Sequence, residues 1–381
     1  MKLLFISEFF PTEDSGKVTG GAEARTYYLA QELLLRTHGI KVITCRLPGT
    51  TAYDNWHGLE IFRVGLNRPY TRYGQLLNRF VFIIAAVFKA LTLDYELVDG
   101  NNGNVYAAAY LAARLRGKKL VYWVPDVVAL ITWQKAAGRI KGYLANLIEK
   151  SMVYLPADKY IALSYQTYDK LKKLGLPEGK VEVIYPGVKQ TAKEAKKARG
   201  NPATIISVQR LVNYKKTDTV IRALAILVER GYDLRYRIIG EGERRKVMED
   251  LAEKLGVSQR VKFLGNLPHP EVLKEISRAD IFSLPSAVEG FGIVSLEAMS
   301  QGIPFVNSDI NVNREIETAS HGGLIFKLGD PEDLAEKLEK LLKDNDLYQK
   351  LSQSGLKFAR NHTWGKVARE TERVYKSLFS R

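Results

Sequence analysis

The stretch Ala279–Gln301, ADIFSLPSAVEGFGIVSLEAMSQ, decides the fold of this chain. It begins with an apolar run, Ile281–Leu284, which stops at Pro285 as a buried strand commonly does. A short glycine-containing loop follows, and from Ile293 to Met299 the sequence has helix-forming spacing. The stretch therefore predicts a strand–loop–helix junction, the unit from which parallel α/β sheets are built.

Two carboxylates eight residues apart, Glu289 and Glu297, bracket this junction. The glycines of Glu289–Gly292 let backbone N–H groups approach a ligand closely, and the N-terminus of the following helix favours an anion. Because a carboxylate beside a phosphate would repel it, we expect both glutamates to accept hydrogen bonds from hydroxyl groups next to phosphates. A ligand with hydroxyls on both sides of a diphosphate is a nucleotide sugar. The alternative is a surface loop before an ordinary helix with two solvated glutamates; the glycines and the preceding strand favour the binding site.

The same stretch resembles the signature of the retaining glycosyltransferases of family 4, which have the GT-B fold. The shared features are the Ala-Asp start, the Pro-Ser stop, the EGFG loop, the second glutamate and the Glu-Ala-Met around it. The resemblance extends over nearly the whole chain. It implies an α/β protein with two Rossmann-like parallel-sheet domains facing across a cleft, and a nucleoside-diphosphate sugar as donor. On this resemblance Glu289 is a catalytic residue, and the donor-binding residues of the junction are Gly290, Phe291, Gly292, Ile293 and Glu297.

Strands and helices alternate along the chain, which predicts parallel sheets covered on both faces. With 381 residues, two domains are expected. The lysine-rich stretch Lys189–Asn201 interrupts the alternation and predicts an interdomain linker or a charged helical turn. We therefore assign an N-terminal, acceptor-side domain to residues 1–188 and a nucleotide-sugar domain to residues 189–362. The end, Tyr348–Arg381, is helical and amphipathic, and the resemblance implies that about 363–381 packs back on the first domain.

Departure of a diphosphate requires its charge to be neutralised, and the sequence has no Asp-x-Asp motif and no His/Cys cluster with metal-ligand spacing. We therefore expect neither a metal nor a cofactor, and fixed cations instead. Arg210 lies just past a predicted strand, Ala203–Val208, and Lys215 follows five residues later. Both match diphosphate-binding positions of the family and are candidate catalytic residues; the alternative is a pair of solvated cations. Gln209 and Lys216 stand where the family usually has glycines.

Further donor contacts are implied by the resemblance. Gly20 and Gly21 precede a helix and match the first-domain loop that closes over the donor. Gly242 belongs to a glycine turn at the nucleotide pocket, and Leu264 to the segment beside the base. The glycine turn also resembles the start of a dinucleotide fingerprint, but Arg245 occupies the third-glycine position and no acid lies suitably downstream, which argues against NAD.

One departure from the family follows the predicted strand Lys119–Val124. The family usually has a histidine and then an aspartate there, and the histidine contacts the transferred sugar. This chain has Pro125 and Asp126 instead, and its five histidines do not occupy that position. Asp126 is therefore a candidate catalytic residue in contact with sugar or acceptor hydroxyls. A role as a turn or helix-cap residue is the equally favoured alternative.

The net charge of +15 favours an anionic partner: nucleic acid, an anionic membrane or a phosphorylated substrate. No nucleic-acid recognition motif is present, so we expect no nucleic-acid partner. The segment Arg63–Lys89 carries five basic residues, interleaved aromatics and no acid. It fits either an anionic membrane surface near a lipid-linked acceptor or a buried helix with a solvated basic face. A single cysteine, Cys45, excludes an internal disulfide, and the first apolar run is too short for a signal peptide. We expect a cytoplasmic protein, peripheral at most on the membrane.

The sequence thus predicts a retaining, metal-independent glycosyltransferase that moves a hexose-type sugar to a glycan or lipid-linked acceptor. No side-chain nucleophile stands out, and the family is thought to use front-face departure and attack. A sugar-nucleotide epimerase of GT-B fold is one alternative, although it would need histidines and acids around the sugar. A non-catalytic nucleotide-sugar binder is the other, because Pro125 replaces the usual histidine; the retained cations and glutamates argue against it.

Overall fold

The computed structural model describes residues 1–13, 20–68, 76–127, 139–189, 192–194 and 200–380. The chain divides into two compact units, Met1–Gly187 with Trp364–Arg381, and Val188–Thr363. Several sequence predictions lie outside the described residues: most of the lysine-rich stretch, part of the loop before Gly20, and Tyr70, Arg72 and Tyr73 of the basic segment.

The first unit is built on a parallel sheet. Its strands are β1 (Lys2–Ser7), β2 (Gly39–Cys45), β3 (Tyr53–Trp56), β4 (Leu59–Val64), β5 (Leu97–Asn101), β6 (Lys119–Val124), β7 (Lys159–Ala162) and β8 (Val181–Val183). Within the described residues they form one eight-stranded sheet in the order β3-β4-β2-β1-β5-β6-β7-β8. All neighbours are parallel except β3, which forms an antiparallel hairpin with β4.

Helices cover both faces of this sheet. They are α1 (Gly21–Leu34), α2 (Leu76–Leu91), α3 (Tyr106–Leu115), α4 (Arg139–Tyr154) and α5 (Tyr165–Lys173). Successive strand residues point to opposite faces. Leu4 of β1 packs in the apolar cluster that contains Phe82 of α2 and Ala108 of α3, whereas Arg25 of α1 lies over the ring of Phe5. Helices α2 and α3 therefore pack side by side on one face, with α4 next to α3, and α1 lies on the other face.

The second unit is a second parallel α/β sheet. Its strands are β9 (Ala203–Val208), β10 (Leu234–Ile239), β11 (Val261–Phe263), β12 (Ile281–Leu284), β13 (Phe305–Ser308) and β14 (Gly323–Phe326). Its helices are α6 (Thr217–Glu229), α7 (Arg245–Lys254), α8 (His269–Arg278), α9 (Ile293–Ser300), α10 (Asn311–Ser320), α11 (Pro331–Lys343) and α12 (Asn345–Arg360). The strand order is β11-β10-β9-β12-β13-β14, and each pair is parallel. The prediction of two parallel-sheet α/β units is confirmed.

Local signals fix many of these boundaries. Helix α11, for example, begins with Pro331, whose fixed φ suits the first helical position. The Asp330 side chain accepts hydrogen bonds from the backbone N–H groups of Glu332 and Asp333, each at 3.2 Å. These contacts satisfy donors that the start of a helix leaves unpaired, so the helix starts where the sequence places its cap.

The C-terminal end contains two helices. Helix α12 ends at Arg360 and belongs to the second unit, and α13 (Trp364–Ser377) belongs to the first. Helix α13 packs on α1, where the Trp364 and Tyr28 rings stack with centroids 5.5 Å apart. A Cβ at Gly187 would lie 2.7 Å from the Trp364 backbone nitrogen, so glycine is needed where the chain passes the start of this helix.

A buried polar cluster joins α13 to the sheet of the first unit. Both terminal nitrogens of Arg25 donate to Asp99, Nη1 to Oδ1 at 2.6 Å and Nη2 to Oδ2 at 2.9 Å. Tyr375 Oη donates to the same Oδ2 at 2.5 Å. Burial and the Asp99 charge raise the pKa of Tyr375 well above its usual range. Burial by itself lowers the pKa of Arg25, but the Asp99 carboxylate outweighs it and raises that pKa. The side chains therefore stay as a charged pair with a neutral phenol.

Candidate functional site

Three loops of the second unit meet at one edge of its sheet. Strand β9 lies between β10 and β12 and is parallel to both, so the carboxyl ends of these strands share that edge. The Leu211 N–H donates to the Glu241 carbonyl at 3.0 Å, which joins the loop after β9 to the loop after β10. The Ala287 N–H donates to the Tyr214 carbonyl at 2.7 Å, which joins it to the loop after β12. The loops that carry the predicted cations and Glu289 are therefore fixed to one another.

The glycine turn after β10 is required by loop packing. A Cβ at Gly240, whose φ is +129°, would lie 2.0 Å from the Gln209 carbonyl oxygen. At Gly242 it would lie 2.2 Å from the Leu211 carbonyl oxygen. Both distances are far inside van der Waals contact, so only glycine lets the two loops approach this closely. The segment after β11 also reaches this edge, since Gly240 N–H donates to the Gly265 carbonyl at 2.8 Å and Leu264 N–H to Ile238.

The predicted cations converge on one tyrosine. The Arg210 guanidinium donates to Tyr214 Oη, and its carbon lies 5.8 Å from the centroid of the Tyr214 ring. Lys215 Nζ is also 5.8 Å from that centroid. Lys215 forms an ion pair with Glu289, and the two side chains are 13% and 12% exposed. The structure thus places Arg210, Lys215 and Glu289 close together, with the Lys215–Glu289 pair largely shielded from water.

The EGFG loop leads from this pair into helix α9. Gly292 has a left-handed φ of +76° at the position before the helix, a conformation that glycine adopts without strain. The Phe291 side chain is buried at 1% exposure, so it anchors the loop in the core and leaves only its backbone for a ligand. Gly290 follows Glu289 in the loop, and Ile293 is the first residue of α9. The loop geometry therefore agrees with amide groups presented at a helix start.

The second glutamate has a partner that the sequence did not indicate. Glu297, on α9, forms a hydrogen bond with His269, in which the ring Nε2 lies 2.7 Å from the carboxylate Oε1. Both side chains are mostly buried, at 11% and 14% exposure. His269 is the first residue of α8, and α8 packs against α9. His-Pro at a helix start is a common pattern, so only the packing of α8 on α9 identifies this pair.

Two departures from the family pattern have structural explanations. The buried Gln209 side chain donates from Nε2 to Thr217 Oγ1 at 2.9 Å and accepts from Ser286 Oγ at 3.4 Å. It thereby ties the loop after β9 to the start of α6 and to the loop after β12. Lys216 adopts a left-handed φ of +51° before α6, a conformation that explains a glycine at this position elsewhere in the family. Neither departure removes a positive charge from the site.

The predicted residues of the first unit lie on their own elements. Gly20 is extended, with φ −163°, and its carbonyl accepts the first hydrogen bond of α1, from Ala24 N–H at 2.9 Å. Gly21 is the first residue of that helix. Asp126, after β6, accepts from the backbone N–H of Val127 at 2.7 Å and from Lys170 Nζ at 2.6 Å. The first of these contacts is that of a turn residue, and the second pairs the Asp126 carboxylate with an ammonium group.

The described residues contain neither a metal-binding cluster nor a membrane-spanning helix. Across those residues, no group of three or more His, Cys, Asp and Glu side chains is arranged to hold a metal ion. Among the helices that can be described, none combines the length and apolar character needed to cross a bilayer.

Two protein-family models match this chain. The model for "Glycosyltransferase Family 4" matches residues 19–191, and that for "Glycosyl transferases group 1" matches residues 188–358. The chain belongs to glycosyltransferase family 4. The recognition of the family from the EGFG stretch and the prediction of an enzyme are both confirmed.

Curated relatives of this glycosyltransferase carry several names. An uncharacterized glycosyltransferase of Methanocaldococcus jannaschii is 27% identical over 99% of this chain and 98% of its own. A glycogen synthase of Mycobacterium tuberculosis is 29% identical over 98% of this chain and 94% of its own. A D-inositol 3-phosphate glycosyltransferase of Corynebacterium urealyticum is 33% identical, over 53% of this chain and only half of the relative's length.

Solved structures confirm the GT-B fold. A sucrose-phosphate synthase from Thermosynechococcus elongatus has a TM-score of 0.83 at 18% identity and covers 99% of both chains. Anabaena HepE, solved in complex with UDP-glucose, has a TM-score of 0.75 at 19% identity over 99% of this chain and all of its own. At such identities the likeness shows the fold, and the reaction must be argued from the residues.

Proposed function

We propose that this enzyme is a retaining, metal-independent glycosyltransferase that transfers a hexose-type sugar from a nucleoside-diphosphate sugar to a glycan or lipid-linked acceptor. The observation that carries the proposal is the shielded cluster of Arg210, Lys215 and Glu289 at the carboxyl edge of the second sheet. Two cations beside a carboxylate, next to glycine-rich backbone, suit a diphosphate flanked by hydroxyl groups.

In this proposal the two cations hold the leaving diphosphate. In the structure Lys215 is paired with Glu289, so its charge is already positioned and partly desolvated. When a diphosphate arrives, Lys215 binds the phosphate oxygens, and the Glu289 carboxylate turns its remaining acceptor capacity to the hydroxyls of the sugar. Because these groups are fixed by loop–loop hydrogen bonds, little reorganisation is needed as negative charge develops on the leaving group.

The proposed transfer breaks one bond, forms one bond and moves one proton, and it requires no metal. The bond between the anomeric carbon and the diphosphate oxygen breaks, and the acceptor oxygen bonds to that carbon on the same face. The proton of the acceptor hydroxyl passes to the departing phosphate oxygen. Arg210 and Lys215 lower the cost of the charge that collects on that phosphate. The remaining proposed contacts with the donor, its base and the acceptor are those of Gly20, Gly21, Gly242, Leu264 and Asp126.

The comparisons support a nucleotide-sugar donor. Anabaena HepE was solved with UDP and with UDP-glucose, and relatives are named for transfer to D-inositol 3-phosphate and for glycogen synthesis. UDP-glucose is therefore the first donor to test. For an acceptor carried on a lipid, we propose that the enzyme works at the cytoplasmic face of an anionic membrane, in keeping with its charge of +15.

A thermal-shift screen of nucleotide sugars tests the donor class. We expect one of UDP-glucose, UDP-N-acetylglucosamine, ADP-glucose or GDP-mannose to raise the unfolding temperature, because a ligand that binds only the folded state stabilises it. The donor that stabilises the protein should be cleaved when acceptor sugars are present, at a rate that EDTA leaves unchanged. NMR of the product should show that the anomeric configuration is retained. If none of these donors shifts the unfolding temperature at millimolar concentration, the proposal is wrong. A new sugar nucleotide formed without acceptor would identify an epimerase instead.

The His269–Glu297 contact gives a second test of the site. Replacing Glu297 by Gln, or His269 by Ala, should weaken binding of that donor by about tenfold. The first change removes the negative charge that accepts hydrogen bonds from donor hydroxyls, and the second removes the largely buried contact that holds this carboxylate in place. His269→Gln, which keeps a side-chain donor, should recover most of the affinity. The dissociation constants can be measured by calorimetry, with kcat expected to change much less than KM. If His269→Ala binds the donor as the wild type does, the pair has no role in donor binding.

A further inference from the structure

Helix α2 has two apolar faces, only one of which is covered. Phe82, Ala86 and Ala90 are buried in the core of the first unit. On the opposite side Leu77, Phe80, Ile84 and Phe88 are exposed, and the two phenylalanines have 60% and 67% of their surface in solvent. At 100° per residue these four side chains fall within an arc of about 80°. A surface helix of a soluble protein normally turns polar residues to water on this side, so this face indicates a partner.

The neighbouring helices extend the apolar surface. Helix α3, which packs beside α2, exposes Leu111 and Leu115, and α4, next to α3, exposes Ile140, Tyr143, Leu147 and Tyr154. All three helices lie on the same face of the sheet. We call the exposed apolar side chains of α2, α3 and α4 the apolar face. Most protein surfaces expose large apolar side chains singly, whereas the apolar face groups many of them on neighbouring helices.

Basic residues outnumber acidic ones on the helices of the apolar face. The described side chains of α2, α3 and α4 include Arg79, Lys89, Arg114, Arg139 and Lys150 and no carboxylate, although Arg79 pairs with Glu8 and Arg114 with Asp158 from other elements. Arg116 and Lys118 follow α3 directly, and Arg116 is exposed. Two copies of such a face would bring like charges together, which disfavours self-association. An anionic lipid surface, by contrast, satisfies both the apolar stripe and the cations.

We propose that the apolar face is a docking surface for an anionic bilayer, with Phe80 and Phe88 inserted at the level of the lipid headgroups. The biological role of this docking surface rests on the proposed lipid-linked acceptor. Binding of the apolar face to a bilayer does not itself depend on the transfer reaction. Aromatic and aliphatic side chains enter the boundary between headgroups and acyl chains, while the surrounding cations pair with lipid phosphates. The face lies on the first unit, whereas the diphosphate cluster lies on the second.

Vesicle co-sedimentation of the full chain tests this proposal. We expect binding to vesicles of phosphatidylcholine mixed with phosphatidylglycerol, weaker binding to phosphatidylcholine alone, and loss of the difference at high salt. The double variant Phe80→Ser/Phe88→Ser should bind the anionic vesicles at least about tenfold more weakly, because two exposed aromatic side chains no longer leave water. The matched control is Leu35→Ser, an 81% exposed leucine directly after α1, on the opposite face of the sheet, which should bind as the wild type does.

Three results would overturn the proposal: no preference for anionic vesicles, equal binding by the double variant, or the same loss in Leu35→Ser. A concentration-dependent dimer in sedimentation, abolished by the double variant, would assign the apolar face to a second copy instead. The nucleotide-sugar thermal shift should be unchanged in the double variant, since Phe80 and Phe88 are exposed to solvent and take part in none of the proposed donor contacts. Failure of vesicle binding and failure of the donor assignment are thus separate outcomes.

Discussion

Replacing Arg210 or Lys215 by alanine should lower the rate of donor cleavage by about 100- to 1,000-fold, the usual cost of removing one preorganised group that stabilises leaving-group charge. Both side chains lie against Tyr214, and Lys215 is paired with the mostly buried Glu289. Alanine at 215 removes the positive charge and also leaves the Glu289 carboxylate without this partner at the place where a diphosphate would bind. The effect should fall on kcat at saturating donor, measured as release of the nucleoside diphosphate.

The neighbouring lysine supplies a matched control. Lys216 has a left-handed backbone conformation that glycine adopts at no cost, so Lys216→Gly removes one charge from the same loop without strain. We expect this variant to keep close to the wild-type rate. Rates near the wild type in both Arg210→Ala and Lys215→Ala would show that the cluster does not stabilise the leaving group, and the proposed mechanism would be abandoned.

The second large effect concerns stability. Asp99→Ala should lower the free energy of unfolding by about 3–5 kcal/mol, because it leaves the Arg25 guanidinium buried without its counter-charge. Tyr375→Phe removes one hydrogen bond to the same charged carboxylate and should cost about 1.5–3 kcal/mol. Chemical denaturation followed by circular dichroism measures both. The loss in Asp99→Ala should be accompanied by release of α13, detectable as faster proteolysis after the second unit.

An exposed ion pair provides the comparison. Lys2 and Asp94 also form a salt bridge, but 62% of each side chain is in solvent. Asp94→Ala should therefore leave the denaturation midpoint almost unchanged, since exposed pairs contribute little to stability. If Asp99→Ala proves as mild as Asp94→Ala, the buried cluster does not hold α13 on the first unit.

Short-range signals predicted much of the fold. The apolar run before Pro285 is β12, and the helical spacing from Ile293 is α9, with the left-handed Gly292 at the turn between them. Less was predicted where the outcome depends on distant partners. The hairpin strand β3 was missed, because Tyr53–Trp56 alternates between half-buried and exposed residues and is stabilised by pairing with β4.

The sequence by itself determined most of the order of strands and helices, the chemical types of the site residues and the family. These follow from periodicity, glycines and prolines, which act over a few residues. Only the tertiary structure decided which side chains meet. Lys215 and Glu289 are 74 residues apart, and His269 and Glu297 are 28 apart. The first pair depends on β9 lying between β10 and β12, and the second on α8 packing against α9. Neither arrangement is encoded in a local pattern, because each is set by how whole elements bury their apolar faces against one another.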